Sequence, residues 1–316
     1  MTIPVFTLMQ QAVDIVGTSR HPTNKIAATL HAGDPVGAAF SVSMTNEWPD
    51  AIARRIGPGQ RIGNSSGTVH AETACLLHTK GKTDGGRMFV TDLPCPNCVK
   101  NMAEAGIRTL YIDHKGFAKD FALRHGGDFE NMAMRICEKA GISVYKLFRK
   151  EERLEPILEI SSAYEPQIEK PPHVERLNAE PAPRLFQDWI ARERERYDGG
   201  VYALGFARDD EGGAWLLSAQ PHPVIGYTSE TMGAPEGKYS YMLQPVNRLL
   251  MTAAREGLRL ERDYLFCSVV PTARELVNMI AANLPRLRIG DTGASRDEHG
   301  LAALRTLVNA GVFEVL

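Results

Sequence analysis

The sequence predicts an α/β protein built twice in tandem, each copy a five-stranded mixed sheet between helices in three α/β/α layers. Three observations lead there. Apolar periodicity between Phe6 and Leu147 alternates between the helical and the strand repeat, in the order helix, strand, strand, helix, strand, helix, strand, helix, strand. The stretch Leu265–Glu275 then lines up without gaps on Met88–Cys98, so the second half reads as a weaker copy of the first. Between the halves, proline-punctuated residues 150–183 show little sustained periodicity and read as a linker. The expected domains are therefore 1–149 and 184–316, and 316 residues is a length that two domains suit.

Each element has its own signal. Phe6, Leu8, Met9, Ala12, Val13 and Val16 fall at helical spacing, and Gly17-Thr18-Ser19 ends the run. Lys25–Leu30 and Val36–Val42 read as two strands joined at Gly33-Asp34-Pro35, a hairpin. The polar residues 44–49 that follow are where a substrate loop would sit, and Ala51–Ile56 reads as a short helix. A glycine-rich loop then leads to a helix over His70–Leu77. Arg87–Thr91 reads as a buried strand, Pro96–Ala105 as a helix, Arg108–Ile112 as a strand, Asp128–Ala140 as a helix and Ile142–Leu147 as the closing strand.

In the second half an amphipathic helix (Leu185–Arg196) precedes strand patterns at Val201–Ala207 and Ala214–Ser218, and a helix and strand end the chain within Leu301–Leu316. Leu276-Val277-Asn278-Met279 continues the match to Val99-Lys100-Asn101-Met102, and Leu287-Arg288-Ile289 to Leu110-Tyr111-Ile112. The chemistry is not repeated. Thr272 and Glu275 stand where the first half has Cys95 and Cys98, and with a small gap upstream Pro245 falls on His70 and Asn247 on Glu72. That set cannot hold the same metal.

Composition narrows the class. An apolar fraction of 43% and a charged fraction of 23% are those of a globular protein. A formal net charge of -2 gives no overall pull toward phosphate backbones, and neither half shows a dense Lys/Arg cluster interleaved with aromatics. A long nucleic acid is thus disfavoured as partner. The five cysteines include one close pair, which suits a reducing compartment and a metal better than a disulfide frame. No signal-peptide pattern opens the sequence and no apolar run is long enough to span a bilayer, so a cytoplasmic location is expected.

The chemistry concentrates between Thr68 and Asp113. His70-Ala71-Glu72 is followed by Pro94-Cys95-Pro96-Asn97-Cys98. One imidazole and two thiolates are three ligands for zinc, and a tetrahedral ion keeps a fourth position open for water, the layout of a catalytic site. The two helix N-termini that meet there favour thiolate forms of Cys95 and Cys98. A structural zinc would need a fourth ligand. His78 and Cys75 lie within reach in sequence, but a solvated histidine and a packed thiol describe them better, and Cys137 and Cys267 read as core thiols. Trp48 suits either stacking on a base or covering the core, and Arg54, Arg55 and Arg61 suit a solvated helix face better than a phosphate site.

Over about residues 5–148 the pattern His-x-Glu with Pro-Cys-x-x-Cys resembles the zinc-dependent cytidine and deoxycytidylate deaminase superfamily, with Pro94–Lys100 and Ala105-Gly106-Ile107 most similar to the deoxycytidylate branch. The resemblance implies a cytidine-deaminase-like fold and one Zn2+ per chain, held by His70, Cys95 and Cys98. It implies hydrolytic deamination of dCMP or cytidine to the uracil form, with Glu72 as proton shuttle rather than ligand. It further implies a backbone N–H at Ala71 that orients the base, and a sugar contact from Asn46. A nucleic-acid editing deaminase and a deaminase of another amino-heterocycle such as guanine are the competing expectations. The expected assembly is a homo-oligomer or a chain whose second domain is structural and takes the place of a partner subunit, with a regulatory nucleotide pocket as the sharper alternative for that domain.

Overall fold

A computed structural model describes residues 3–33, 39–119, 127, 129–230 and 239–316. In the first half, α1 (Val5–Ile15) buries Leu8, Met9 and Ala12 against the sheet. The strands β1 (Ala27–Ala32) and β2 (Phe40–Thr45) pair antiparallel, with Leu30 opposite Val42. The expected second strand began at Val36. Residues 34–38 lie outside the described residues, and the strand runs to Thr45.

Next come α2 (Asp50–Arg55), α3 (Ala71–Leu77), β3 (Arg87–Val90), α4 (Pro96–Glu104) and β4 (Thr109–Asp113). The helix expected from Asp128, itself outside the described residues, is a π-helical turn at Phe129–Ala133 that continues as α5 (Met134–Ala140). Gly141, at φ 75°, ends α5 in the left-handed region that favours glycine. From there the chain enters β5 (Ser143–Phe148).

The first sheet runs β2-β1-β3-β4-β5 with a sixth strand, β6 (Arg153–Leu158), outside β5. β1 meets β3 antiparallel, β3–β4–β5 are parallel, and β6 returns antiparallel. Phe89, Tyr111 and Leu147 from three successive strands form one cluster with Leu8 and Met9 of α1. β3 and β4 are buried but for their first residues, which is why they read as unbroken apolar runs.

The second half repeats this construction. Its elements are β7 (His173–Arg176), α6 (Pro183–Arg196), β8 (Ala203–Arg208), β9 (Ala214–Ala219), α7 (Pro245–Glu256), β10 (Arg259–Val270), α8 (Ala273–Ala281), β11 (Arg286–Ser295), α9 (Glu298–Asn309) and β12 (Glu314–Val315). The sheet order is β7-β9-β8-β10-β11-β12. The five strands from β9 to β12 match β2-β1-β3-β4-β5 in order and in direction: antiparallel hairpin, antiparallel join, then two parallel joins. Its core gathers Phe186, Trp189, Tyr202, Leu204, Phe206, Leu216 and Phe266.

The tandem α/β/α reading holds, and the sheets have six strands each rather than five. Both additional strands come from the segment expected to be a linker. β6 is exposed at every residue but its last and carries Pro156, and β7 pairs only with β9. An edge strand buries neither face fully and tolerates proline, so it need not show the alternation by which strands are recognised.

Packing divides the chain into two compact units that do not follow one cut in the sequence. Unit 1 is Met1–Glu47, His70–Glu169 and Pro223–Met242, and unit 2 is Trp48–Val69, Lys170–His222 and Leu243–Leu316. Residues 48–69 connect β2 to α3, and residues 223–242 connect β9 to α7, the corresponding place in the second copy. Each unit is thus completed by the other half's hairpin-to-helix connection. Within unit 1 the buried Lys100 of α4 donates to the carbonyls of Ser240 and Met242, at 2.6 and 2.9 Å. Among the described residues, no helix is long and apolar enough to cross a membrane.

Candidate active site

Two helix starts build the site. His70 caps α3 in an extended conformation, φ -75° and ψ 150°, and Glu72 is the second helical residue. Cys95 caps α4 in nearly the same conformation, φ -76° and ψ 159°, with Pro96 at the first helical position and Cys98 at the third. Proline fits there because its missing N–H would have had no helical partner. The strand β3 delivers Thr91–Pro94 to this point, so the site lies at the carboxyl end of the central strand.

His70 Nδ1 lies 3.4 Å from Cys95 Sγ and 3.4 Å from Cys98 Sγ. The three ligand atoms all lie within 4.8 Å of one another. Tetrahedral zinc with ordinary Zn–N and Zn–S lengths separates nitrogen from sulfur by about 3.5 Å, so the donor set fits that ion. Among the described residues, His70, Cys95 and Cys98 form the only group of three or more such side chains that could hold a metal.

Supporting side chains act on the sulfurs. Asn101 Nδ2 donates to Thr73 Oγ1 at 3.1 Å, and Thr73 Oγ1 lies 3.7 Å from Cys98 Sγ. Cys95 is held well below the ordinary thiol range, first by a hydrogen bond from the Cys98 side chain and further by His70. Cys98 is pushed up in turn, first by that same bond and then by burial. Glu72 is 3% exposed. Burial pushes its carboxyl up to about 7 against the opposing pull of His70. A carboxyl balanced there can take and return a proton near neutral pH.

Ala71 stays within the site, between His70 and Glu72, and the other expected residues are engaged by the fold. Ala71 is fully buried at the first position of α3. The amide of Asn46 is engaged by the fold: its Oδ1 accepts from Ser19 Oγ at 2.8 Å and Ile26 N at 2.9 Å, and its Nδ2 donates to Asn24 O at 2.7 Å. It ties the connection between α1 and β1 to the end of β2. Trp48 belongs to unit 2, is 5% exposed, and donates through Nε1 to Ser66 O at 3.1 Å. Cys75 and Cys137 are buried thiols, each pushed up to about 12 by burial, and Cys267 is shifted the same way.

Three residues near the metal group were not evident from the sequence. Thr73 and Asn101 are two, and their only signal was the recurrence of an asparagine at 278. The third is His21, whose pKa is lowered first by burial and then by the charge of His70. Its Nδ1 accepts from Asn24 N at 3.1 Å and Thr23 N at 3.4 Å, which fixes the ring as the Nε2–H tautomer when neutral.

The site lies in a region with known relatives. Residues 7–113 match the family described as the cytidine and deoxycytidylate deaminase zinc-binding region. The chain is similar to an uncharacterized deaminase encoded in the luxG 3' region of Aliivibrio fischeri, 26% identical over 42% of this chain and 87% of that protein. It is also similar to ComE operon protein 2 of Bacillus subtilis (strain 168), 32% identical over 24% of this chain and 36% of that protein. Among solved structures, dCMP deaminase from the cyanophage S-TIM5 in apo form is 23% identical, covers 36% of this chain and 85% of its own, and has a TM-score of 0.28. The same enzyme in complex with dCMP and dUMP is 18% identical over 46% of this chain and 100% of its own, with a TM-score of 0.31. Residues 7–113, which contain His70, Glu72, Cys95 and Cys98, thus match the cytidine and deoxycytidylate deaminase zinc-binding region, and the chain is similar to a deaminase over that part.

Proposed function

We propose that this chain is a zinc-dependent hydrolytic deaminase that converts a cytosine-type nucleoside or nucleotide, dCMP or cytidine, to its uracil form. The observation that carries the reading is Glu72: a buried carboxyl raised to about 7, one turn-step from a ligand and in hydrogen-bond reach of another. A zinc held only for structure has no use for such a group.

His70, Cys95 and Cys98 would hold the zinc, which would supply the Lewis acidity that lets a water lose a proton near neutral pH. Glu72 takes that proton and passes it to the ring nitrogen beside the amino-bearing carbon. The carbon gains the water oxygen and loses its amino group, and Glu72 delivers the second water proton to the departing nitrogen, which leaves as ammonia. The Ala71 N–H, at the start of the same helix, orients the base. Asn46 positions the α1–β1 connection, a role that its engaged amide supports over direct sugar contact.

The test is ammonia release by the zinc-loaded full chain offered cytosine, cytidine, dCMP, guanine and adenosine in parallel. Turnover of cytidine or dCMP is expected. Turnover of guanine alone would reassign the substrate within the same chemistry, and no turnover of any amino base would remove the deaminase reading.

A further inference from the structure

The vacated site of unit 2 has a different anchor in place of the metal. Counted from the helix caps, Thr272 caps α8 as Cys95 caps α4, and Glu275 is the third helical residue as Cys98 is. Gln244 caps α7, with Pro245 at the first position, as His70 caps α3. This corrects the sequence match by one residue: Gln244 rather than Pro245 stands in the place of His70, and Val246 rather than Asn247 in the place of Glu72. An independent bond confirms the register. Asn278 Nδ2 donates to Asn247 Oδ1 at 2.9 Å, and these residues correspond to Asn101 and Thr73, joined by the same kind of bond at 3.1 Å.

In that register the Glu275 carboxylate bridges the two helix starts. Its Oε1 accepts from Val246 N at 2.8 Å and Asn247 N at 3.3 Å, at the start of α7. Its Oε2 accepts from Thr272 N at 2.8 Å and Thr272 Oγ1 at 2.8 Å, at the start of α8. The residue is 1% exposed. Four donors saturate both oxygens, and the partial positive charge of two helix ends faces one buried negative charge. In unit 1 the same two helix starts are joined by His70, Cys95 and Cys98.

We infer that Glu275 takes over the metal's mechanical role, so that unit 2 is a deaminase-type fold clamped by a carboxylate and the metal requirement is confined to unit 1. The inference rests on the zinc reading of the first site, yet its tests read unit 2 by itself. Neither Val246 nor Gln244 can shuttle a proton as Glu72 does, so unit 2 has no deaminase chemistry of its own.

Two measurements on the full chain decide it. The triple variant Gln244→His, Thr272→Cys, Glu275→Cys restores a His/Cys/Cys set and is expected to hold one more zinc per chain than the unmodified protein, by elemental analysis of dialysed samples. The readout is a difference, so it stands whatever the unmodified protein holds; an unmodified protein without zinc would instead overturn the reading of the first site. A folded triple variant with no additional zinc would show that the two helix starts do not form an equivalent site and would overturn the inference. Should the triple variant not fold, Glu275→Gln decides by hydrogen exchange. The amides of one helix start, either Val246 and Asn247 or Thr272, are expected to exchange on the order of tenfold faster, because the new amide turns its NH2 toward that start and keeps an acceptor for the other. The amides of Ala74 and Val99, which bond to His70 O and Cys95 O in unit 1, serve as controls and are expected to be unchanged. Unaltered exchange at the three unit 2 amides would overturn the clamp.

Discussion

Asn101 holds the hydroxyl of Thr73 by donating to it at 3.1 Å, and so decides where the Thr73 proton points. With that oxygen acting as acceptor from Asn101, its own O–H is left to donate to Cys98 Sγ, 3.7 Å away. The bond favours the anionic sulfur that a cation needs, and it fixes the sulfur's direction from a second helix.

Replacing Thr73 by Val keeps the shape and removes the donor. Zinc affinity, measured by competition with a chromogenic chelator, is expected to fall by ~10–100-fold, the usual cost of losing a group that orients a metal ligand. Thr73→Ser should restore most of it. An unchanged affinity in Thr73→Val would mean that the hydroxyl serves packing alone.

Glu72→Gln separates proton transfer from metal binding. The amide is nearly isosteric and cannot carry the proton, so activity is expected to fall by at least ~10²–10⁴-fold with the zinc content unchanged. The second readout matters because Glu72 also lies in hydrogen-bond reach of Cys98. Loss of zinc together with activity would make Glu72 a support of the metal rather than the shuttle.

How far the sequence could be read follows from what each feature requires of its residues. His70, Cys95 and Cys98 were legible as a group because side chains that could hold one metal from two helix starts must recur at fixed spacing. The tandem order was legible because β3 and the second half of β10, from Leu265 on, are apolar and lead into similar helices. β6 and β7 were not, since an edge strand may leave its faces to solvent. The hydrogen bonds by which Asn46 ties the fold were not, because position after a strand says nothing of which way an amide turns. In unit 2, two helix signals were present and outweighed by the lost ligands. Pro245 at a first helical position puts the cap at Gln244, and Thr272-x-x-Glu275 is a capping-box spacing.

Asn46→Ala should act on stability. It removes the partner of Ile26 N, Asn24 O and Ser19 Oγ in a buried setting. Urea unfolding is expected to show a loss of about 1–3 kcal/mol, the cost of leaving buried groups unpaired. A normal unfolding midpoint with a raised KM would return Asn46 to the role of substrate contact.

His31 gives a prediction in pH. It is 6% exposed on β1, its Nδ1 lies 3.0 Å from Ser41 Oγ, and its pKa is lowered from 6.5, first by burial and then by the charge of Arg87. A histidine whose folded pKa is depressed takes up its proton more readily in the unfolded chain. Its contribution to stability is therefore present above about pH 6.5 and is lost as pH falls toward the folded value. Other groups in the same unit titrate with the opposite sign, Glu72 and Asp92 among them, so the whole-protein curve does not isolate the effect. The difference between the unmodified chain and His31→Gln does, because only one of the two carries the imidazole. The melting temperature of the unmodified chain relative to the variant should decline between pH 7.5 and pH 5.5. A difference that stays flat, or that grows on acidification, would mean that the imidazole keeps its ordinary affinity for protons or gains it on folding.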